Sequence, residues 1–163
     1  MSFDTYLKFE TINGESTDDK HKQWIEVSSF SHAISQQGSG GTSGGSTRVA
    51  GKVDFQDFTI TKKLDISSPY LNKHCCQGKH ITKATLEICK STGQKEVFMK
   101  YTFDHVLISS VAIGGGQGQE FPVESVSFSF GKVKWDYNHI DVKTGAKVAN
   151  TSASHDLGLN VTA

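Results

Sequence analysis

Five residues able to bind metal or carry a nucleophile lie close together in the chain: His74, Cys75, Cys76, His80 and, further on, Cys89. A structural zinc site needs such ligands in short pairs set apart by a loop. The spacing here matches no such pattern, and adjacent Cys75 and Cys76 leave a helix on different faces. Cys75 reads better as a small core residue. The seven histidines are scattered, and no serine has the strand–turn–helix surroundings of a nucleophile elbow. The carboxylate pairs Asp18/Asp19 and Asp54/Asp57 fall in a polar loop and on strand faces, where their ordinary role is solvation. Residues 114–119, GGGQGQ, have a phosphate-loop look but lack the βαβ context that such a loop needs. These residues predict no enzyme, no metal site and no cofactor.

Composition narrows the classes further. The 163 residues carry 17 basic and 17 acidic side chains. Arg48 is the sole arginine, which argues against nucleic acid as a partner. Three cysteines, two of them adjacent, do not make a secreted disulfide framework. The N-terminal residues lack a basic region followed by an apolar run, and no apolar stretch nears the roughly 20 residues of a membrane helix. The reading is a chain made in a reducing cytoplasm, with no membrane insertion, exported (if at all) without a cleaved signal.

The elements that would position any site are mostly strands. One helix is predicted within residues 65–80. Ser67 and Ser68 can cap its start, Pro69 suits the first helical position, and Gly78 can close it in the left-handed conformation. About ten residues are too few to stand alone in water, so the Leu71/Cys75 stripe must dock on a larger apolar surface. Alternation predicts strands at 3–9, 24–34, 53–63 (with a bulge between Phe55 and Phe58), 82–89, 97–103, 105–113 and 125–137, the last changing parity at Gly131. The polar tail after Asp141 reads as weakly ordered, with a closing strand near Leu157, Leu159 and Val161. About eight antiparallel strands and no βαβ alternation give an all-β class. The length fits one domain, 1–163. Six of the sixteen glycines fall between residues 38 and 51, and a loop of that length in a compact domain is often functional.

Read in order, the chain resembles a known family. The motifs are GES, a polar loop with a His, W-x-E-V-x-S-F-S, a Gly/Ser-rich loop, GKVDFQDFTITKKLDISSPYL, CCQGKH, FDHVLISSVAIGGG and ESVSFSFGKVKWDY. This resembles Hcp, the haemolysin-coregulated protein family of the bacterial type VI secretion system inner tube. The resemblance implies an antiparallel β-barrel of two sheets with one short α-helix packed alongside. It also implies homohexameric rings that stack into a tube, a spike protein at the tip, a contractile sheath outside, and secreted effector proteins carried and protected in the lumen. Assembly would take place in the bacterial cytoplasm before secretion.

Combined with the strand reading, the resemblance gives three residue-level expectations. Ser29 and Ser31 lie opposite Trp24, Phe30 and Ile34, so they face the lumen and touch effectors. The loop holding Gly38, Gly40, Gly41, Gly44, Gly45, Arg48 and Gly51 reaches the next ring. Leu71 and Cys75 dock the helix on the barrel. The rival reading is a carbohydrate- or ligand-binding β-sandwich module, which would usually show surface aromatic clusters or a carboxylate-rich calcium loop. The two long loops here are rich in glycine and serine instead.

Overall fold

The computed structural model describes residues 2–39, 49–91 and 93–163. These form twelve strands and one helix: β1 (Phe3–Phe9), β2 (Ile25–Val27), β3 (Ser29–Ser31), β4 (Ile34–Ser39), β5 (Val49–Phe55), β6 (Phe58–Lys63), α1 (Ser68–Gln77), β7 (His80–Lys90), β8 (Val97–Gly114), β9 (Val123–Ser129), β10 (Lys132–Ile140), β11 (Lys147–Asp156) and β12 (Val161–Thr162). Ten strands share one antiparallel sheet and β4 pairs with β5 in a second. The fold is all-β with one short helix.

The large sheet is organised around β8. One side of β8 bonds β7, which leads through β1 to β2. The other side bonds β10 along its first half and β9 along its second. From β9 the sheet continues to β6 and β3. It curls until β2 and β3, separated only by Ser28, bring β1 and β6 together. The ladder does not close there, and the Ser28 N–H donates to the Thr61 carbonyl at 2.7 Å.

Several sequence expectations need correction. Residues 24–34 are three strands, because the chain changes partner at Ser28: Ile25 and Val27 point into the core beside β1, and then Phe30 turns inward beside β6. Residues 53–63 hold no bulge: Phe55 ends β5 in the small sheet and Phe58 begins β6 in the large one. Residues 97–103 and 105–113 are one strand, bent where His105 takes a φ of 55°. The tail contains β11, ten residues paired with β10 across a turn in which the Asp141 carboxylate accepts the Lys143 N–H at 2.7 Å. At 125–137 two strands, β9 and β10, meet at a corner, where a side chain on Gly131 would press against His105.

The core lies between the curled halves. Phe58 is its centre, with ring centroids 5.1 Å from Phe103, 5.5 Å from Phe128 and 6.0 Å from Phe30. Leu71 is completely buried within this core and Cys75 packs at its margin, so α1 lies against β8. His74 is buried on the same side, its Nδ1 2.8 Å from the Tyr70 carbonyl. At the C-terminus Gly78 adopts the left-handed conformation (φ 60°), and the Lys79 N–H donates to the His74 carbonyl. The N-terminus differs from expectation: Ser67 makes no side-chain cap, and the Asp65 carboxylate accepts the Ser67 N–H at 2.9 Å instead.

Candidate functional site

The register brings Ser29 and Ser31 into a wall larger than either residue suggested. Ser31 lies opposite Thr59, Thr59 opposite Ser127, and Ser127 opposite Ser110. One row over, Ser29, Thr61, Ser125 and Ala112 follow in the same way. Side chains alternate across a strand, so the eight share the outward face while Phe30, Ile60 and Val126 fill the inward one. Within these two rows no side chain is charged. Thr59 Oγ1 and Ser127 Oγ are 2.9 Å apart and share a hydrogen bond. Beside the first row, Ser109 Oγ donates to Asp57 Oδ2 at 2.5 Å. Ser125, Ser127 and Ser129 were visible in the sequence as alternating hydroxyls. Their union with Thr59, Thr61 and Ser110 depends on strand order, which the sequence did not supply.

The outward face over the other half of β8 is charged. Lys83, Asp104, Lys132 and Asp156 are successive cross-strand neighbours of alternating sign, as are Glu87, Lys100 and Asp136. Lys100 Nζ is 3.5 Å from Glu87, and Lys134 Nζ 3.4 Å from Asp136. Opposite charges in such positions attract.

Each outward face has a buried polar anchor that the sequence reading missed. At the end of the hydroxyl wall, Lys62 (0% exposed) and Glu124 (1%) face each other across β6 and β9, pointing inward, 2.6 Å apart. Lys62 Nζ also lies 2.9 Å from Asp65 and donates to Ser68 Oγ at 3.2 Å, while Ser68 Oγ donates to Glu124 at 2.7 Å. This network fixes the start of α1. The signal was present in the alternation of Phe58, Ile60 and Lys62 and of Glu124, Val126 and Phe128, which puts both charged residues on the inward side.

On the charged face the polar loop before β2 folds over β1. His21 (1% exposed) stacks on Tyr6 with ring centroids 4.3 Å apart. Its Nδ1 meets Asp18 at 2.7 Å and its Nε2 meets Glu87 at 2.8 Å. Lys95 bridges Asp18 (2.8 Å) and the Tyr6 hydroxyl (2.8 Å). The Lys95 ammonium first, and His21 second, hold the Asp18 carboxyl down to about 2. Cys89 Sγ lies 3.9 Å from His21, but the pair is no nucleophile and base. The thiol is fully buried, and that burial, with Glu87 and Asp18 adding to it, pushes its pKa up to about 12.

Of the other expected site residues, Gly38 and Gly51 belong to the β4–β5 hairpin. A side chain on Gly51 would meet the Gln37 carbonyl at 2.7 Å. Gly40, Gly41, Gly44, Gly45 and Arg48 lie outside the described residues. His74, Cys76 and Cys89 are dispersed, and among the described residues no three His, Cys, Asp or Glu converge as a metal would require. Among the described residues no helix is long and apolar enough to cross a membrane.

Residues 6–137 match the family described as Type VI secretion system effector, Hcp. Protein hcp1 of Pseudomonas aeruginosa is 39% identical over 138 residues, 84% of each chain. A solved structure of a type six secretion system protein superposes with a TM-score of 0.93 at 34% identity, covering 99% of this chain and all of the other. Hcp1 from Salmonella typhimurium superposes with a TM-score of 0.79 at 31% identity, again over 99% of this chain and all of the other.

Proposed function

The chain belongs to the Hcp family of type VI secretion system proteins, and from that premise we propose that it is the repeating subunit of a secreted tube. Six copies join head to tail and close by rotation into a ring, and rings stack. The hydroxyl wall lines the lumen, the charged face looks away from it, and effector proteins travel inside. The sheath drives the tube outward behind a spike protein. Assembly takes place in the bacterial cytoplasm, the whole chain acts as a single domain, and it carries no chemistry of its own.

The observation that carries this reading is the uncharged pair of hydroxyl rows. A pore that passes folded cargo benefits from short, hydrated side chains that neither obstruct nor trap. A serine or threonine hydroxyl can donate and accept, so it exchanges partners among water and passing surfaces with little net change. An ordinary solvated face would carry charges, as the opposite face does. Further support comes from β11, whose first seven residues are exposed, and from the open edge of β12, which suit contact with neighbouring copies. The β4–β5 hairpin, set apart in its own sheet, supplies the contact with another ring on this reading.

Light scattering on a size-exclusion column tests the reading. A ring gives about six times the 17.8 kDa monomer mass, with a central hole in negative-stain images. A monomer at every concentration refutes it.

A further inference from the structure

Among the described residues, the β4–β5 hairpin bonds to itself, and its link to the barrel is concentrated at its root. There the Gln56 N–H donates to the Ala33 carbonyl at 3.0 Å, and Phe55 is held by rings. Its centroid lies 5.2 Å from His155 and 6.5 Å from Trp135, both nearly parallel, and 6.1 Å from Phe130 edge-on. His32, two residues before β4, closes this cluster. It stacks on Phe58 at 5.4 Å, with Phe130 at 5.6 Å and Phe55 at 6.2 Å.

His32 is the uneasy member. Its Nε2 is buried without a hydrogen-bond partner. Burial lowers its pKa, partly offset by a backbone hydrogen bond with Gln56, and no charged group is among the influences on it. The titratable side chains on the packed elements are engaged or turned away. On β5, Lys52 and Asp54 are exposed. Beside β6, Asp57 accepts from Ser109, and Lys62 is paired with Glu124 of β9. His155, beyond Phe55, has its Nδ1 2.8 Å from Thr162 Oγ1. A protonated His32 would therefore place a cation and an unpaired N–H among phenyl rings. The ring faces offset part of that cost, but the N–H keeps its desolvation penalty until it reaches water.

We propose that His32 is an acid-sensitive latch at the root of the β4–β5 hairpin, and that protonation releases the hairpin from the barrel. This inference does not depend on the tube. The seated state holds the neutral ring, whose pKa is below its ordinary value, while in the released state the ring is hydrated and titrates near about 6.5. The seated hairpin is therefore unaffected above that pH. It weakens as pH falls below it, and the loss is complete below the lowered value.

Two measurements on the intact protein test the latch. The first is amide hydrogen exchange, corrected for intrinsic rates, from about pH 7.5 to about pH 4.5. Exchange in β4 and β5 should rise on the order of tenfold or more across a transition centred below pH about 6.5, while β1 and β7 hold their protection. His32→Phe keeps a ring in place and should remove the transition, whereas His155→Phe should retain it. The second is the His32 ring titration by NMR in the unaltered protein, whose midpoint should coincide with that of hairpin opening. Flat hairpin exchange, a transition that survives His32→Phe, one that vanishes only with His155→Phe, or a ring midpoint away from the opening midpoint would each overturn the proposal.

Discussion

The two outward faces of the sheet have similar inner support and opposite chemistry. Both lie over rows of buried apolar residues, and both include a part of β8. Over β3, β6 and β9 two adjacent rows carry hydroxyls and Ala112, with Lys63 and Val123 following only at the far end of the face. Over β7, β10 and β11 two rows set lysines against carboxylates, and the row between them, Thr85, Thr102, Lys134 and Ser154, adds a further lysine among hydroxyls. Stability of the fold asks for neither choice, since either set can be hydrated. On the proposed tube reading, the difference reflects what each face would meet outside the chain.

The comparison is tested most severely at the two anchors. Glu124→Leu leaves the buried Lys62 with Asp65 as its remaining carboxylate and should lower stability by up to about 3–5 kcal/mol in urea titrations. The double change Lys62→Met with Glu124→Leu should recover most of that loss. If the single variant is as stable as the parent, the ion pair does not anchor the hydroxyl wall. Next in size is the helix seat. Leu71→Ala should lower stability by about 2–5 kcal/mol in the same titration, and a smaller loss would mean that the helix is not held by that side chain.

The charged face is broken by acid. Asp18 has a folded value of about 2 against an ordinary 3.8, so its ionised form favours the closed loop. That contribution is fully present above the ordinary value and is lost as pH falls through about 2. Stability measured down this range should fall less steeply in Asp18→Asn than in the parent, with Trp24 fluorescence reporting loop opening, because Trp24 lies edge-on to His21 at 5.0 Å. Equal slopes would remove Asp18 from the account.

The smallest effect on stability separates the faces most sharply. Ser31→Glu and Thr85→Glu each place a carboxylate on an outward strand position, and each should change stability by less than about 0.5 kcal/mol. Only Ser31→Glu should reduce co-purification of an effector with the assembled protein. Equal loss from both variants would mean that the uncharged rows are not what cargo meets.

What the sequence disclosed depended on periodicity. Val126, Phe128 and Phe130 alternate with serines, and so the strand and its inner face could be read directly. Pro69 and Gly78 bracket α1 in the same local way. The strand at residues 147–156 was lost because its first seven residues are exposed, leaving no apolar alternation to see. Its formation rests on pairing with β10 and on the Asp141 turn, both of which are tertiary facts. The His21 and Lys62 clusters were lost for another reason. Their partners stand 66 and 62 residues away, and a charged residue in a strand looks solvated until its neighbour is known. The hydroxyl wall falls between these cases, since each strand offered its own serines or threonines but only strand order placed them in rows.

The unbroken course of β8 constrains how this protein can vary through descent. Point changes act on one face at a time: Lys100 or Asp104 can be replaced without touching Ser110 or Ala112. Changes of length have no such freedom. A single codon inserted between Phe103 and Val106, both fully buried, turns one half of the strand over relative to the other. Either Val111 comes out where Ser110 stood, or Phe103 comes out and Asp104 goes in. Substitutions can therefore retune either surface singly, whereas an added residue must be taken up as a bulge, as the strand already does between Ile108 and Ser110.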